Sequence, residues 1–295
     1  MSDKDTTGGG TTDGGTALVL GAGGLVGAAW EIGILHGLAE AGEDLSDVDL
    51  VVGSSAGAVV GALLTAGTTP LAELYARQLD GTDTEPAVRF GAATLLRYTL
   101  AVLTSRTPEA YGRKLGRLAL RARTVDEAAR RAVVAKRLGG ATDWPGAGRL
   151  RITAVDAESG ALGVFDGGPD GVGLVDAVTA SCAIPGAWPP ASLTGRRWID
   201  GGVHSTANAH LASGRRRVIV VAPSAMGSRA VHSPARQAAD LTAAGSRVVV
   251  ITSDADAKAV IGARALDPAQ RGAAARAGRA QAAAHAKAVA TLRAR

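Results

Sequence analysis

Two short motifs carry residue types that could do acyl chemistry. The first, Gly53-Ser54-Ser55-Ala56-Gly57, reads G-x-S-x-G with Ser55 at its centre. A serine hydroxyl is a weak nucleophile until a neighbouring base takes its proton, and this spacing suits a serine held at the apex of a sharp strand-to-helix turn. Gly53 and Gly57 remove side chains that would collide in so tight a turn, and N–H groups at the start of the following helix favour negative charge. The second motif, Trp198-Ile199-Asp200-Gly201-Gly202-Val203, delivers an aspartate into a glycine turn. Asp-Gly alone is a common hairpin turn. A carboxylate within hydrogen-bond reach of a serine hydroxyl could accept its proton. An aspartate at its ordinary pKa of about 3.9 is a poor base, so a carboxylate doing this work is expected to be partly buried.

A third motif, Gly21-Ala22-Gly23-Gly24-Leu25-Val26-Gly27, can point consecutive backbone N–H groups at one anion. Two anions come into question. A pyrophosphate site expects G-x-G-x-x-G/A and an acidic residue about 20 residues on, at the end of the second strand. Gly21 and Gly23 fit, but Val26 stands where the third small residue belongs, and the second strand runs into Gly53-Ser54-Ser55 with no carboxylate. The nucleotide-binding reading is therefore the weaker one. The alternative anion is the oxyanion of a tetrahedral acyl intermediate, which would make this loop the other half of a serine hydrolase. Five histidines are available for a triad: His36, His204, His210, His232 and His285. Of these only His204, four residues past Asp200, is a serious candidate for the base of a triad.

The elements that must position these groups follow from the apolar pattern. Short β-branched runs predict strands over 16–20 and 48–52, each followed by a small-residue helix, over 24–41 and 55–66. Further strands are predicted over 150–156, 161–165, 196–199, 217–222 and 247–252, with helices over 173–182 and 233–244 and two more beyond. Leu18-Val19-Leu20, Val218-Ile219-Val220-Val221 and Val248-Val249-Val250-Ile251 are continuous apolar runs, the pattern of strands covered on both faces. The expected fold is α/β, a three-layer α/β/α sandwich with a mostly parallel central sheet. Its chemistry should gather at the carboxyl ends of the strands.

The Gly-rich loop, G-x-S-x-G, Ala180-Ser181-Cys182-Ala183-Ile184-Pro185-Gly186 and D-G-G occur in that order, and on them the chain resembles the patatin-like phospholipase family, in its bacterial branch. The resemblance runs from about Ala17 to about Pro223 and thins between Thr68 and Leu150. It implies that Ser55 is the nucleophile, Asp200 its partner in a two-residue dyad, and Gly23 and Gly24 the oxyanion hole, with Gly21, Gly27, Gly53, Gly57, Gly201 and Gly202 shaping the motifs. It implies a lipid acyl ester as substrate and no metal or organic cofactor. The family often has an Asn after its D-G-G turn, and Asn208 stands there. It commonly has Arg or Lys just before the last glycine of the first loop, where this chain has Val26.

Composition bounds the rest. At 295 residues and 46% hydrophobic, the chain can bury a large core, and one α/β unit over 16–295 is expected. Residues 1–15, rich in Gly, Thr and Asp, read as a disordered tail without the apolar region of a signal peptide. No run approaches the roughly 20 apolar residues of a membrane span. Cys182 is the single cysteine, compatible with a reducing cytoplasm. Between 86 and 140 the sequence carries twelve Lys/Arg against three acids, a net +9, while the whole chain is only +5. This basic, Leu-containing insert suits contact with an anionic membrane surface. Aromatics at 3% and the lack of a recognition motif argue against nucleic acid. Two non-hydrolytic readings stay open: a lipid-surface binding protein on the same fold, and a nucleotide-binding Rossmann-type protein. The sequence fixes neither oligomeric state nor head group.

Overall fold

The computed structural model describes residues 13–80, 88, 90–146 and 148–294. The expected tail up to residue 12, and residues 86, 87 and 89 of the expected basic insert, lie outside the described residues.

β1 (Asp13–Leu20) begins three residues before the predicted start, and β2 (Leu50–Ser54) sits two residues later than predicted. Between them lies α1 (Gly24–Glu40), and after β2 come α2 (Ala56–Ala66) and α3 (Leu71–Leu79). The basic region holds α4 (Ala92–Thr104), α5 (Pro108–Arg121) and α6 (Glu127–Arg137). α5 starts on Thr107, whose side chain accepts the Ala110 N–H, with Pro108 at the first helical position, and α6 starts on the Asp126 cap. β3 (Leu150–Asp156), β4 (Leu162–Phe165), α7 (Leu174–Ser181), β5 (Ala191–Leu193) and β6 (Arg196–Asp200) follow. The chain continues through β7 (Arg215–Ala222), α8 (Pro234–Ala243), β8 (Arg247–Thr252), α9 (Ala255–Ile261), α10 (Arg271–Ala282) and α11 (Ala286–Ala294).

All eight strands form one mixed, mostly parallel sheet. β1 is central, parallel to β2 and β7, while β2 pairs with β3 and β7 with β8, also in parallel. The continuous apolar runs are explained by alternation between two faces. Leu18, Leu20, Val51, Ile219 and Val221 face the core formed with α1, α2 and α10. Ala17, Val19, Val52, Val218 and Val220 face the opposite layer with Leu241 of α8. Each fully buried Val, Leu or Ile contributes about 1.5–3 kcal/mol, so the sandwich is held from both sides. The tail helix α10 packs closely on α1, where Trp30 Nε1 donates to Gln281 Oε1 at 3.1 Å.

The antiparallel part of the sheet does the positioning. β4 pairs with Ile152–Val155 along one edge of β3. The opposite edge is shared: β2 pairs with Leu150–Thr153 and β6 with Ala154–Asp156. The backbone hydrogen bonds Val51 N–H to Arg149 O and Ala157 N–H to Arg197 O lie on that edge, while Asp156 N–H to Ala161 O lies on the other. β2 and β6 therefore approach each other end to end along β3 from opposite directions. Ser54 is opposite Thr153 and Asp200 is opposite Ala154, which brings the residue after β2 and the last residue of β6 to one point.

Candidate active site

Ser55 occupies the turn between β2 and α2 with φ 53° and ψ −111°, a conformation that costs a non-glycine residue about 1–3 kcal/mol and must be held by its surroundings. Ser181 Oγ accepts the Ser55 N–H at 2.8 Å, and Cys182 Sγ donates to the Ser55 carbonyl at 3.3 Å. The Ala-Ser-Cys-Ala-Ile-Pro segment thus grips the backbone of Ser55 on both sides. This role of Ser181 and Cys182 was not visible in the sequence, where the segment served only as a motif. Gly57 is required by close approach: a Cβ there would lie 2.1 Å from the carbonyl oxygen of Leu20, at the end of the neighbouring strand. The Gly57 N–H donates to Gly21 O at 3.0 Å, tying the first glycine loop to the turn.

Ser55 Oγ donates to Asp200 Oδ2 at 2.6 Å, and the Gly202 N–H donates to Asp200 Oδ1 at 2.8 Å. Both side chains are buried. Burial pushes the Asp200 carboxyl up to about 7, against the opposing pull of the Ser55 hydroxyl, the Gly202 N–H and the Arg130 cation. A carboxylate with such a pKa is a far better proton acceptor near neutrality than an exposed aspartate.

Ser54, next in the chain, points elsewhere. Its hydroxyl lies 2.7 Å from Thr153 Oγ1 and accepts from Asn208 Nδ2 at 2.9 Å. Asn208, in the left-handed conformation at φ 54°, also donates to the carbonyls of Gly201 and Ser205. It cross-links the two glycine turns from below. His204, the rival base, has Nδ1 3.0 Å from Asn208 Oδ1. It lines a separate cavity of about 460 Å³ with His210 and His232, and burial holds its imidazole below the usual range. Among the described hydrogen bonds His204 reaches neither Ser55 nor Asp200.

Gly23, Gly24, Ser55 and Asp200 line one cavity of about 220 Å³ with Gly202, Tyr98, Tyr111 and Ile184. Gly24 has φ 65°, and a Cβ on it would meet the Ala265 carbonyl at 2.6 Å. In the described backbone bonding Gly21 and Ala22 donate to Val221 and Thr206, whereas no bond uses the N–H of Gly23 or Gly24. Val26 is fully buried in the main core, so its side chain is no part of this cavity. A second cavity, of about 490 Å³, runs from Ser55 and Gly24 along Leu25, Ile32, Val59, Leu63 and Leu74. The cationic part of its wall is Arg77, Arg130, Lys136, Arg137 and Arg271, with Asp80 among them, and Arg130 stacks over the Trp188 ring at 3.9 Å. Neither this cationic wall nor the stacking was anticipated, because the contributing residues are scattered over α3, α6 and the start of α10. Among the described residues, no group of three or more His, Cys, Asp or Glu side chains could hold a metal ion.

The α/β/α sandwich thus holds a serine on a strained strand-to-helix turn, hydrogen-bonded to a buried carboxylate beside a glycine loop. The profile of the patatin-like phospholipase family matches residues 18–213, and the chain belongs to that family. Its crystallised neighbours include VipD from Legionella pneumophila, at 12% identity and a TM-score of 0.45, covering 94% of this chain and 67% of VipD. The type III effector protein ExoU is 18% identical with a TM-score of 0.44, covering 95% of this chain and 54% of ExoU. No curated protein matches the chain.

Proposed function

We propose that the protein is a serine esterase that cleaves fatty acyl esters of lipids, such as a phospholipid or lysophospholipid, through a Ser55–Asp200 dyad. The observation that carries this reading is the 2.6 Å hydrogen bond from Ser55 Oγ to an Asp200 carboxylate whose pKa burial has brought to about 7. Ser55 Oγ bonds to the ester carbonyl carbon as its proton passes to Asp200 Oδ2. The carbonyl oxygen takes the negative charge, met by the N–H groups of Gly23 and Gly24 at the N-terminus of α1. When the tetrahedral species collapses, the C–O bond to the alcohol breaks and the alcohol leaves with the proton held by Asp200. A water then gives a proton to Asp200, attacks the acyl-Ser55 carbonyl, and releases the fatty acid as the proton returns to Ser55. The apolar lining of Leu25, Ile32, Val59, Leu63 and Leu74 suits an acyl chain, and the cations of the same cavity suit a polar or anionic head. No cofactor is needed for these steps, and a cytoplasmic setting with peripheral membrane contact is consistent with them. No helix among the described residues is long and apolar enough to cross a membrane.

The test is a lipid panel read by mass spectrometry, with fluorophosphonate labelling alongside. Wild type should release fatty acid and take the label, and Ser55→Ala should do neither. Asp200→Asn should lose about 10²- to 10⁴-fold in turnover, the usual worth of a general base, whereas His204→Ala should stay near wild type. Full activity in Asp200→Asn with loss in His204→Ala would transfer the base role to His204. A folded wild type that takes no label would favour the non-catalytic lipid-surface reading.

A further inference from the structure

α4 is turned inside out for a helix of a globular protein. Of its thirteen residues only Ala101 is buried, while Leu95, Leu96, Leu100 and Leu103 are 52%, 59%, 50% and 75% exposed. Single exposed leucines are ordinary, but these four lie within nine residues of one helix. Leu96, Leu100 and Leu103 follow i, i+4, i+7 and so form one stripe, with Leu95 beside it. The inward stripe is Thr94, Tyr98, Ala101 and Val102, with Ala101, Tyr98 and Val102 packed against the cluster that includes Tyr111 and Leu115 of α5.

The surroundings of the stripe are cationic. Between α4 and α5 lies a groove of about 580 Å³ in which Leu100 is accompanied by Arg97, Lys114, Arg117, Arg121 and Arg123, with no carboxylate among the lining residues. Leucines rimmed by cations at the end of an in-plane helix match the chemistry of a bilayer bearing anionic head groups. At about 1.5 Å per residue α4 is roughly 20 Å long, which suits a helix lying in the interface. A second copy of this chain fits badly: a two-fold contact sets the same patch against itself and would bring two such cation clusters face to face.

We infer that the outer face of α4, with the α5 cations beside it, docks the protein on an anionic lipid bilayer. The leucines enter the head-group boundary and Arg97, Lys114, Arg117, Arg121 and Arg123 meet lipid phosphates and carboxylates. Docking there sets α4 between the membrane and the cavity that holds Ser55 and Asp200. Tyr98, on the inward stripe, donates from its hydroxyl to Pro185 O at 2.8 Å and lines the cavity that holds Ser55 and Asp200. Gly186, next in that segment, lines the cationic groove. The inference draws on the lipid ester reading for its biological sense, but binding can be measured without catalysis.

The experiment is vesicle co-sedimentation of the full chain in the Ser55→Ala background, using phosphatidylcholine vesicles with and without phosphatidylserine, at low and high salt. The parent should bind the phosphatidylserine vesicles far better than the neutral ones. Replacing Leu96, Leu100 and Leu103 together by Ser should weaken that binding by at least about tenfold at either salt, since the lost contact is apolar. Arg117→Gln with Arg121→Gln should weaken it about 20- to 30-fold at low salt and little at high salt, at roughly fivefold per cation within a Debye length. Both variants change exposed positions, and unchanged melting temperatures verify that they fold. Vesicle binding by the leucine variant equal to that of the parent overturns the inference. So does a change confined to self-association in sedimentation velocity, which would assign the face to a second copy. Loss of these effects while wild type still hydrolyses esters through Ser55 refutes the docking face alone, and intact docking without hydrolysis refutes the esterase reading alone.

Discussion

Burial of the Asp200 carboxyl makes the stability of the protein depend on pH, and the proposed dyad ties that dependence to activity. Its pKa is lifted by burial from an ordinary 3.8 to about 7. In the window between those values the native state holds a proton that the unfolded chain has already released, so stability falls as pH rises. At about 1.4 kcal/mol per pH unit, ionised Asp200 costs roughly 4 kcal/mol by the time the pH is above 7. Water entry and side-chain relaxation make that an upper figure. Asp200→Asn keeps the shape and can still accept the Gly202 N–H, but it does not titrate. Urea denaturation of both proteins from about pH 4 to 8.5 should therefore show a small difference at the acid end. The variant should become progressively more stable than wild type up to about pH 7, with a constant difference beyond. Over the same window, kcat/KM of wild type on a soluble short-chain ester should climb about tenfold per pH unit and then level off, because only ionised Asp200 accepts the serine proton. A stability difference that ignores pH, or hydrolysis already at its plateau near pH 5, would refute the reasoning.

Two further outcomes follow from the neighbours of the dyad. Ser54→Ala removes a buried hydroxyl bonded to Thr153 and Asn208 and should cost about 1–3 kcal/mol in denaturation while leaving turnover within about tenfold of wild type; loss of turnover equal to that of Ser55→Ala would mean that the wrong serine has been assigned. Val26→Arg, which restores the cation common in the family, puts a charge at a fully buried core position and should cost more than about 4 kcal/mol or abolish soluble expression; a folded variant with higher activity on anionic lipids would show that the side chain turns into the cavity instead.

Most of the sheet is legible in the sequence because its strands are apolar on both faces and end in glycine turns. The predicted strands over 150–156 and 247–252 have the observed bounds, and helices over 24–41 and 233–244 differ by a residue or so at their ends. β5 escaped notice because Ala191-Ser192-Leu193 is three residues long and has no pattern to detect. Beyond β8 two helices are expected and three are found, since the Ala-rich run is interrupted near Ala283 rather than continuous. Ser55 and Asp200 could be singled out by motif, but the support around them could not. The grip of Ser181 and Cys182 on the Ser55 backbone, the cross-link at Asn208 and the stacking of Arg130 on Trp188 depend on contacts between residues 58 to 154 positions apart. The leucines of the basic insert were visible in the sequence, yet composition alone does not say which of them face outward.

The end-to-end approach of β2 and β6 along one edge of β3 also governs when Ser55 and Asp200 can meet during synthesis of the chain. A ribosome that has released residue 55 has made the serine and its turn, but β3 follows about a hundred residues later and the carboxylate arrives only with β6. Until β6 pairs with β3 in register, no partial chain holds a base against the hydroxyl, and a slip of one residue would turn Asp200 to the other face of the sheet. On the proposed dyad, a nascent chain that lacks β6 hydrolyses no ester, and activity reports that the sheet has closed.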